Sequence, residues 1–164
     1  MQNSFKTKYS TDLEQDTASS IAEALLKRTG DALISGDFDA FVPWFTMPFT
    51  LETFSGKRVV DTDADFLEIF NSVFRTYQKF GVTRLERRVI EAEMQSDDLI
   101  WSTHESRGMY GTQIMHDSSV VFTIIKRVAG VWLIADCQYA VSNTSLDQAY
   151  AQSLVPTKKQ LLES

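Results

Sequence analysis

The stretch TDADFLEIFNSVFRTYQKFG, residues 62–81, carries the most regular hydrophobic pattern in the chain. Thr62, followed three residues later by Asp65, forms a capping-box-like start, and Gly81 is typical of a helix end. Between these signals, apolar side chains recur at the spacing of one helix face: Phe66, Ile69, Phe70, Val73, Phe74 and Tyr77. The pattern predicts an amphipathic helix from Asp63 to Phe80 that lies on a broad apolar surface.

Four long β-rich segments follow this helix and supply that surface. They are joined by short connections rich in turn-forming residues, at 96–98, 111–112 and 129–130. Short connections predict antiparallel pairing, because parallel neighbours need a longer crossover. The predicted strands cover residues 82–94, 98–110, 114–128 and 131–142.

The residues before the long helix predict smaller elements. Apolar positions recur on one helical face from Thr17, and Ser35-Gly36 ends that first helix. Asp37 is placed to cap a short second helix from Phe38 to about Trp44. Alternation from Phe49 to Val60 predicts a hairpin. Helices first and strands afterwards predict an α+β fold, in which helices cover one face of a curved sheet.

The sequence predicts one domain, preceded by an N-terminal arm and followed by a C-terminal tail. Residues 1–16 are polar without a persistent period and are predicted to form a loosely ordered N-terminal arm. Residues 17–143 form the domain, and no repeat or linker divides them. Residues 144–164 form a C-terminal tail, in which Ser145 to Leu154 predicts one short helix.

Two motifs resemble those of the nuclear-transport-factor-2-like superfamily, and of its SnoaL-like members in particular. ALISGDFDAF, residues 32–41, resembles the family's helix junction, and GVWLIAD, residues 130–136, resembles its closing strand. The resemblance covers residues 17–143 and implies the ketosteroid-isomerase-like cone, a cystatin-like α+β roll. In this fold a curved antiparallel or mixed sheet wraps around the N-terminal helices and one long helix. It also implies an apolar cavity on the concave face of the sheet and a homodimer formed over the convex face.

The composition excludes several classes of partner. The formal charge is −6 and no run of lysines and arginines forms a phosphate-neutralising stripe, so we expect no nucleic acid. No apolar segment approaches the roughly 20 residues that span a bilayer, so we expect no membrane insertion. The single cysteine, Cys137, has no internal partner, and the N-terminus lacks the apolar core of a secretory signal. We therefore expect a cytoplasmic protein.

Metal and cofactor sites are not predicted. The two histidines and one cysteine lie at no recognised metal-binding spacing, and no glycine-rich phosphate loop is present in the sequence. The acids of a ketosteroid-isomerase-like site are also missing. The positions that the resemblance implies for them hold threonine, which neither takes up a proton near neutral pH nor donates as strongly. These are Thr29, Thr53 and Thr123.

A second resemblance, to epoxide-hydrolase-like members, would use Glu105, Arg107 and Asp136 around a water molecule. The alternative is that these charges lie on the convex face, as an exposed cross-strand salt bridge. His104 lies inside a predicted strand, on a face shared with Ser102, Ser106 and Tyr110.

SnoaL-like dehydratases use pocket histidines as general acid or base, so the resemblance makes His104 the candidate catalytic residue. The alternative is a structural histidine whose ring is satisfied by nearby hydroxyls. Candidate ligand contacts are aromatic side chains with a hydrogen-bonding end, one ring of the helical stripe and one inward hydroxyl. They are Trp44, Phe70, Tyr110, Thr123 and Tyr139.

Two functional hypotheses remain open. The first is a small-molecule-binding SnoaL-like domain that acts as a cofactor-independent lyase, isomerase or hydrolase on a small apolar or aromatic compound. The second is a non-catalytic binding or assembly domain similar to a dioxygenase β subunit. A homodimer suits both hypotheses.

Overall fold

The computed structural model describes residues 2–54 and 56–140, with side chains placed at 17–54, 56–115 and 119–140. Its helices are α1 (Gln2–Ser35), α2 (Phe38–Phe41), the short 3-10 helix η1 (Val42–Trp44) and α3 (Asp63–Lys79). Its strands are β1 (Phe45–Thr53), β2 (Gly56–Val60), β3 (Arg84–Ser96), β4 (Leu99–Tyr110), β5 (Gln113–Val128) and β6 (Val131–Ala140). The tail helix predicted at Ser145 to Leu154 lies outside the described residues.

The described strands form one curved mixed sheet in the order β2-β1-β6-β5-β4-β3. The meander from β3 to β6 is antiparallel, as its short connections predicted, and β1 pairs with β6 in parallel. The turn between β5 and β6 places Ala129 and Gly130 at φ 50° and 80°, the left-handed conformation that a tight turn requires. The expected α+β class is confirmed.

Helix α3 follows the pattern that predicted it. The Thr62 hydroxyl accepts a hydrogen bond of 3.1 Å from the backbone N–H of Asp65, which caps the first turn. The apolar stripe packs against phenylalanine rings of α2 and β1 and belongs to the buried core, where each fully buried side chain contributes roughly 1.5–3 kcal/mol. Its buried members are Phe66, Ile69, Phe70, Val73 and Tyr77.

The end of α1 depends on a glycine for two reasons. Gly36 has φ 71°, and the turn it forms lets the N–H of Asp37 donate to the Ala32 carbonyl at 2.9 Å. A Cβ at Gly36 would also lie 2.9 Å from Cζ of Phe74 on α3. The glycine therefore both ends the helix and lets α3 approach closely.

Helix α1 begins at Gln2, well before the start at Thr17 that the sequence predicted. The prediction of a loosely ordered segment over residues 2–16 is wrong in this respect. Hydrophobic periodicity detects only helices with an apolar face, and this segment is polar in sequence. The division into arm, domain and tail stays a prediction.

Candidate functional site

A cavity of about 70 Å³ lies between helices α1 and α3 and the inner face of the sheet. Most of its wall is apolar, and the end near α2 is closed by packed phenylalanine rings. Phe41 lies 4.9 Å from Phe70 and 4.7 Å from Phe45, measured between ring centroids. The remaining wall carries the polar groups Thr29, Arg87, Ser102, His104, Thr123, Cys137 and Tyr139.

Strand pairing places most of these polar groups in two neighbouring rows. In the first row, Thr123 of β5 lies between Ser102 of β4 and Cys137 of β6. In the second row, His104 of β4 lies across Val121 of β5 from Tyr139 of β6. Residues two apart on a strand face the same side, so both rows point into the cavity.

His104 is buried with 6% of its surface exposed, and its side chain faces the cavity, which strand alternation alone left open. Burial, reinforced by the positive charge of Arg87, lowers the pKa of His104 from 6.5 to about 3. The imidazole is therefore neutral at physiological pH. A general acid or base works best with a pKa near the operating pH, so this environment favours a hydrogen-bonding role for His104. Its catalytic role stays a prediction.

Cys137 is buried, and burial raises the pKa of its thiol to about 12. Its Sγ lies 3.9 Å from Oγ1 of Thr123, within reach of a weak hydrogen bond. A thiol with so high a pKa is not a nucleophile near neutral pH. Thr123 and Cys137 therefore form a polar but uncharged patch of the wall.

Arg87 is a cavity residue that the sequence patterns above did not single out. One guanidinium nitrogen, Nη1, donates to Oγ1 of Thr29 at 3.2 Å, and that hydroxyl donates to the Leu25 carbonyl at 2.8 Å. Nε of Arg87 is buried and has no hydrogen-bond partner in the described part of the chain. A signal was present in the sequence: Arg87 and Arg88 are adjacent in a strand, so one of them must face inward.

Three of the predicted ligand-contacting residues line the cavity, namely Phe70, Thr123 and Tyr139. Their contact with a ligand stays a prediction. The structure does not bring the other two to the wall. Trp44 is half-buried outside it, with the Arg28 guanidinium 4.5 Å from the ring centroid.

Tyr110 is 59% exposed, because irregular pairing on both sides of Gly108 shifts the register near the end of β4. Met109, and not Tyr110, is buried there. The expected alternation from His104 to Tyr110 therefore fails at the bulge. The prediction that Tyr110 belongs to the cavity face is wrong.

The carboxylates of the epoxide-hydrolase-like set do not converge on the cavity. Glu105 faces the other side of β4 and accepts from Arg88 at 2.9 Å, the exposed cross-strand salt bridge that was the alternative interpretation. Asp136 precedes the inward-facing Cys137 and lies on the outer face, where burial is the main cause that raises its pKa. Among the described residues, no carboxylate lines the cavity.

The described residues offer neither a metal cluster nor a membrane-spanning helix. Within residues 2–54 and 56–140, no group of three or more histidine, cysteine, aspartate or glutamate side chains is arranged to hold a metal ion. The helices in the same part of the chain include none with an apolar stretch long enough to cross a bilayer.

Comparison with known proteins identifies the fold but no closer relative. No protein-family model and no curated protein matches the sequence. A domain of unknown function with a cystatin-like fold from Nostoc punctiforme PCC 73102 aligns over 90% of this chain and 91% of its own, with TM-score 0.63 and 18% identity.

Two other solved structures are similar. An NTF2-like protein of unknown function from Pseudomonas putida KT2440 covers 80% of this chain and 92% of its own, with TM-score 0.59 and 10% identity. A ketosteroid isomerase-like protein from Erwinia carotovora atroseptica SCRI1043 covers 74% and 93%, with TM-score 0.55 and 16% identity. The chain therefore has the NTF2-like, cystatin-like fold that its motifs predicted.

Proposed function

We propose that this chain binds a small apolar or aromatic compound in the cavity between its helices and its sheet. The observation that carries the proposal is the division of the wall into an aromatic end and a polar side. Such a cavity can bury the body of a ligand and orient it by a few hydrogen bonds. His104, Thr123 and Tyr139 supply groups that would orient an oxygen atom of the ligand.

The size of the cavity limits the ligand. A cavity of 70 Å³ holds a few water-sized groups, whereas a benzene ring needs a cavity of about 150 Å³. A ligand of a few heavy atoms therefore fits the wall as it stands. A ring-bearing ligand requires the wall to open, and Phe45 and Tyr139 are the half-buried aromatic residues of that wall.

A cavity-filling variant tests this proposal. Ala22 is 2% exposed and lines the cavity, so Ala22→Leu places an isopropyl group in the space that the ligand would take. We expect 1-butanol and phenol to raise the melting temperature of the wild type but not of this variant. Ala40→Leu is the matched control, because Ala40 is an exposed helical alanine away from the cavity. Equal ligand response in all three proteins would place binding elsewhere, and no response in the wild type would refute the proposal.

A cofactor-independent lyase, isomerase or hydrolase is the second candidate, and the presence of Arg87 and His104 in one wall favours it. A guanidinium and a neutral imidazole N–H can both stabilise negative charge that develops on a carbonyl oxygen. In this mechanism His104 donates a hydrogen bond as a neutral group, which its lowered pKa allows.

Deuterium exchange tests the catalytic candidate without a known substrate. A protein that stabilises an enolate should speed the exchange of the α-protons of butanone in D2O, with buffer base or hydroxide removing the proton and the enolate carbon taking up a deuteron, as followed by proton NMR. We expect His104→Leu, which has no hydrogen-bond donor, to slow that exchange at least tenfold and Ala40→Leu to leave it unchanged. No exchange above the buffer rate in the wild type would leave the binding proposal as the better one.

The alternative, a non-catalytic assembly domain, is supported by the outer face of the sheet. Trp101 is 47% exposed and packs edge-on against Phe122 at 6.1 Å, and Val120 is 42% exposed on the next strand. Contiguous exposed apolar side chains are typical of an interaction surface. We propose that two copies of the chain associate over this face, whichever function the cavity has.

A further inference from the structure

We propose that the cavity ligand is a small organic anion, a short apolar carboxylate whose charge lies against Arg87. This inference rests on the proposed binding function and names the class of compound. Four observations support it: the lack of an ion pair to Arg87 among the described residues, its incomplete hydrogen bonding there, the absence of carboxylates from the described wall and the size of the cavity.

Arg87 differs from its neighbours in how its charge is balanced. Arg84 and Arg88, on the same strand, each pair with a carboxylate, Glu86 at 2.6 Å and Glu105 at 2.9 Å. Arg127 pairs in the same way with Asp98 at 2.8 Å. Arg87 has no ion pair among the residues that the structure describes, although it is the arginine that lines the cavity.

The hydrogen bonding of Arg87 is also incomplete. A guanidinium has five N–H donors, and in Arg87 an Nη1 donor bonds to Oγ1 of Thr29 at 3.2 Å. The Nε donor is buried without a partner in the described residues. A planar carboxylate accepts two parallel hydrogen bonds from a guanidinium, so it is the ligand group that matches these donors.

The position of Arg87 explains how the charge is tolerated without a ligand. The side chain also borders a surface groove between α1 and β3, lined by Glu23, Lys27 and Asp31, where water reaches it. On the cavity side, the described residues around the same charge are neutral, including His104 and Thr29. Negative charge introduced there would be attracted by Arg87 and repelled by no carboxylate of the described wall.

The remaining wall specifies the rest of the ligand. Beyond Arg87 the cavity is lined by Leu25, Phe70 and Ile125 among other apolar side chains, so the body of the anion should be apolar. A volume of 70 Å³ admits a body of a few carbon atoms without movement of the wall. Butyrate is therefore the probe that matches the site, and 1-butanol is its uncharged equivalent.

Isothermal titration with butyrate, 1-butanol and chloride tests the inference, with wild type, Arg87→Met and Arg88→Met in a chloride-free zwitterionic buffer at pH 7. We expect butyrate to bind the wild type more tightly than 1-butanol does. Arg87→Met should weaken butyrate roughly ten- to hundredfold, the usual effect of losing a charged hydrogen-bond partner, and leave 1-butanol unchanged. Arg88→Met removes an arginine of the outer face and should change neither ligand.

The outcomes separate this inference from the proposed function. Equal binding of butyrate and 1-butanol, both unaffected by Arg87→Met, would overturn the anion but keep the cavity. Chloride binding as tight as butyrate would show an inorganic anion site and would also overturn it. If neither organic probe binds, the proposed function itself fails.

Two further measurements test the inference if Arg87→Met does not fold. Arg87→Lys keeps a charge but not the planar donor pair, and we expect it to bind butyrate with intermediate affinity. In the wild type, butyrate should shift the NMR signals of Thr29 and His104, which face the same cavity. Butyrate binding that leaves both signals unmoved would place the anion outside the cavity and overturn the inference.

Discussion

Arg87 of β3 and Thr29 of helix α1 are joined by a hydrogen bond of 3.2 Å that ties the first helix to the sheet at the cavity wall. Thr29 is 2% exposed, and its hydroxyl donates in turn to the Leu25 carbonyl at 2.8 Å. The Thr29 hydroxyl therefore accepts a hydrogen bond from the Arg87 guanidinium and donates one to a carbonyl of its own helix. Thr29 therefore positions an arginine at the wall of the cavity.

Thr29→Val should destabilise the protein by about 1–2 kcal/mol, because it leaves another donor of the Arg87 guanidinium without its acceptor. The free energy of unfolding in urea measures this loss. Thr76→Val is the matched control, since among the described residues the Thr76 hydroxyl bonds to the Ser72 carbonyl of its own helix, at 3.0 Å, and to no arginine. Equal losses of unfolding free energy in the two variants would show that the Arg87–Thr29 hydrogen bond does not stabilise the folded protein.

Gly36→Ala should destabilise the protein by about 2–4 kcal/mol, the sum of a left-handed backbone and a close contact with Phe74. The backbone has φ 71°, and the new Cβ would lie 2.9 Å from the Phe74 ring. Thermal and urea unfolding measure the change.

Gly111→Ala separates these two causes. Gly111 has φ 58°, but an alanine Cβ at this position would meet no atom within 4 Å. Its substitution should therefore cost only the backbone strain, about 1–2 kcal/mol. A loss at Gly36 no larger than that at Gly111 would show that α3 moves away from the added methyl group without cost.

Most of the fold could be predicted, because its helices and turns are determined by residues that are close together in the sequence. The stripe of α3, its Thr62 cap and the turn at Ala129-Gly130 each have a local cause, and the structure has all three. Helix α1 was recognised only from Thr17, because a helix without an apolar face leaves no periodic signal.

The site was predictable only where strand alternation is regular. Alternation along β4 predicted that His104 and Tyr110 share a face, without deciding which face lines the cavity. His104 lines the cavity and Tyr110 does not, because the register shifts around Gly108. A glycine inside a strand pattern is a signal of such a bulge, but it does not state which way the following residues turn. Arg87 was missed because its role depends on Thr29, which is distant in sequence.

The pH dependence of stability should carry a contribution from His104. Its pKa is 6.5 when unfolded and about 3 in the folded protein, so between these values the unfolded chain binds a proton that the folded chain does not. The contribution of His104 to the free energy of unfolding is therefore fully present above pH 6.5 and decreases as the pH falls toward 3. At pH 4.5 the loss is about 3 kcal/mol relative to pH 7.

His104→Gln isolates this contribution, because carboxylates titrate over the same range in both proteins. We expect the stability difference between wild type and variant to shift in favour of the variant as the pH falls from 7 to 4.5. Arg87 is the charged group that faces His104 from β3, and the Cys137 thiol, from β6, does not titrate in this range. Arg87→Met should raise the pKa of His104 while leaving it below 6.5, since burial is the larger cause. A parallel pH profile in wild type and His104→Gln would contradict the neutral buried imidazole.

The outer face of the sheet should determine the oligomeric state. Trp101, 47% exposed beside Phe122, lies on β4, and Trp101→Lys places a charge where the proposed partner would bury an aromatic ring. Sedimentation equilibrium should give a dimer for the wild type and a monomer for Trp101→Lys, with far-UV circular dichroism unchanged.

Leu67→Lys is the control for this substitution. Leu67 is 39% exposed on helix α3, which covers the inner side of the sheet, so a charge introduced there should leave the dimer intact. A monomeric wild type would refute association over the outer face. A dimer that survives Trp101→Lys but is lost in Leu67→Lys would move the interface to helix α3, because an exposed apolar side chain stabilises an interface only where the partner covers it.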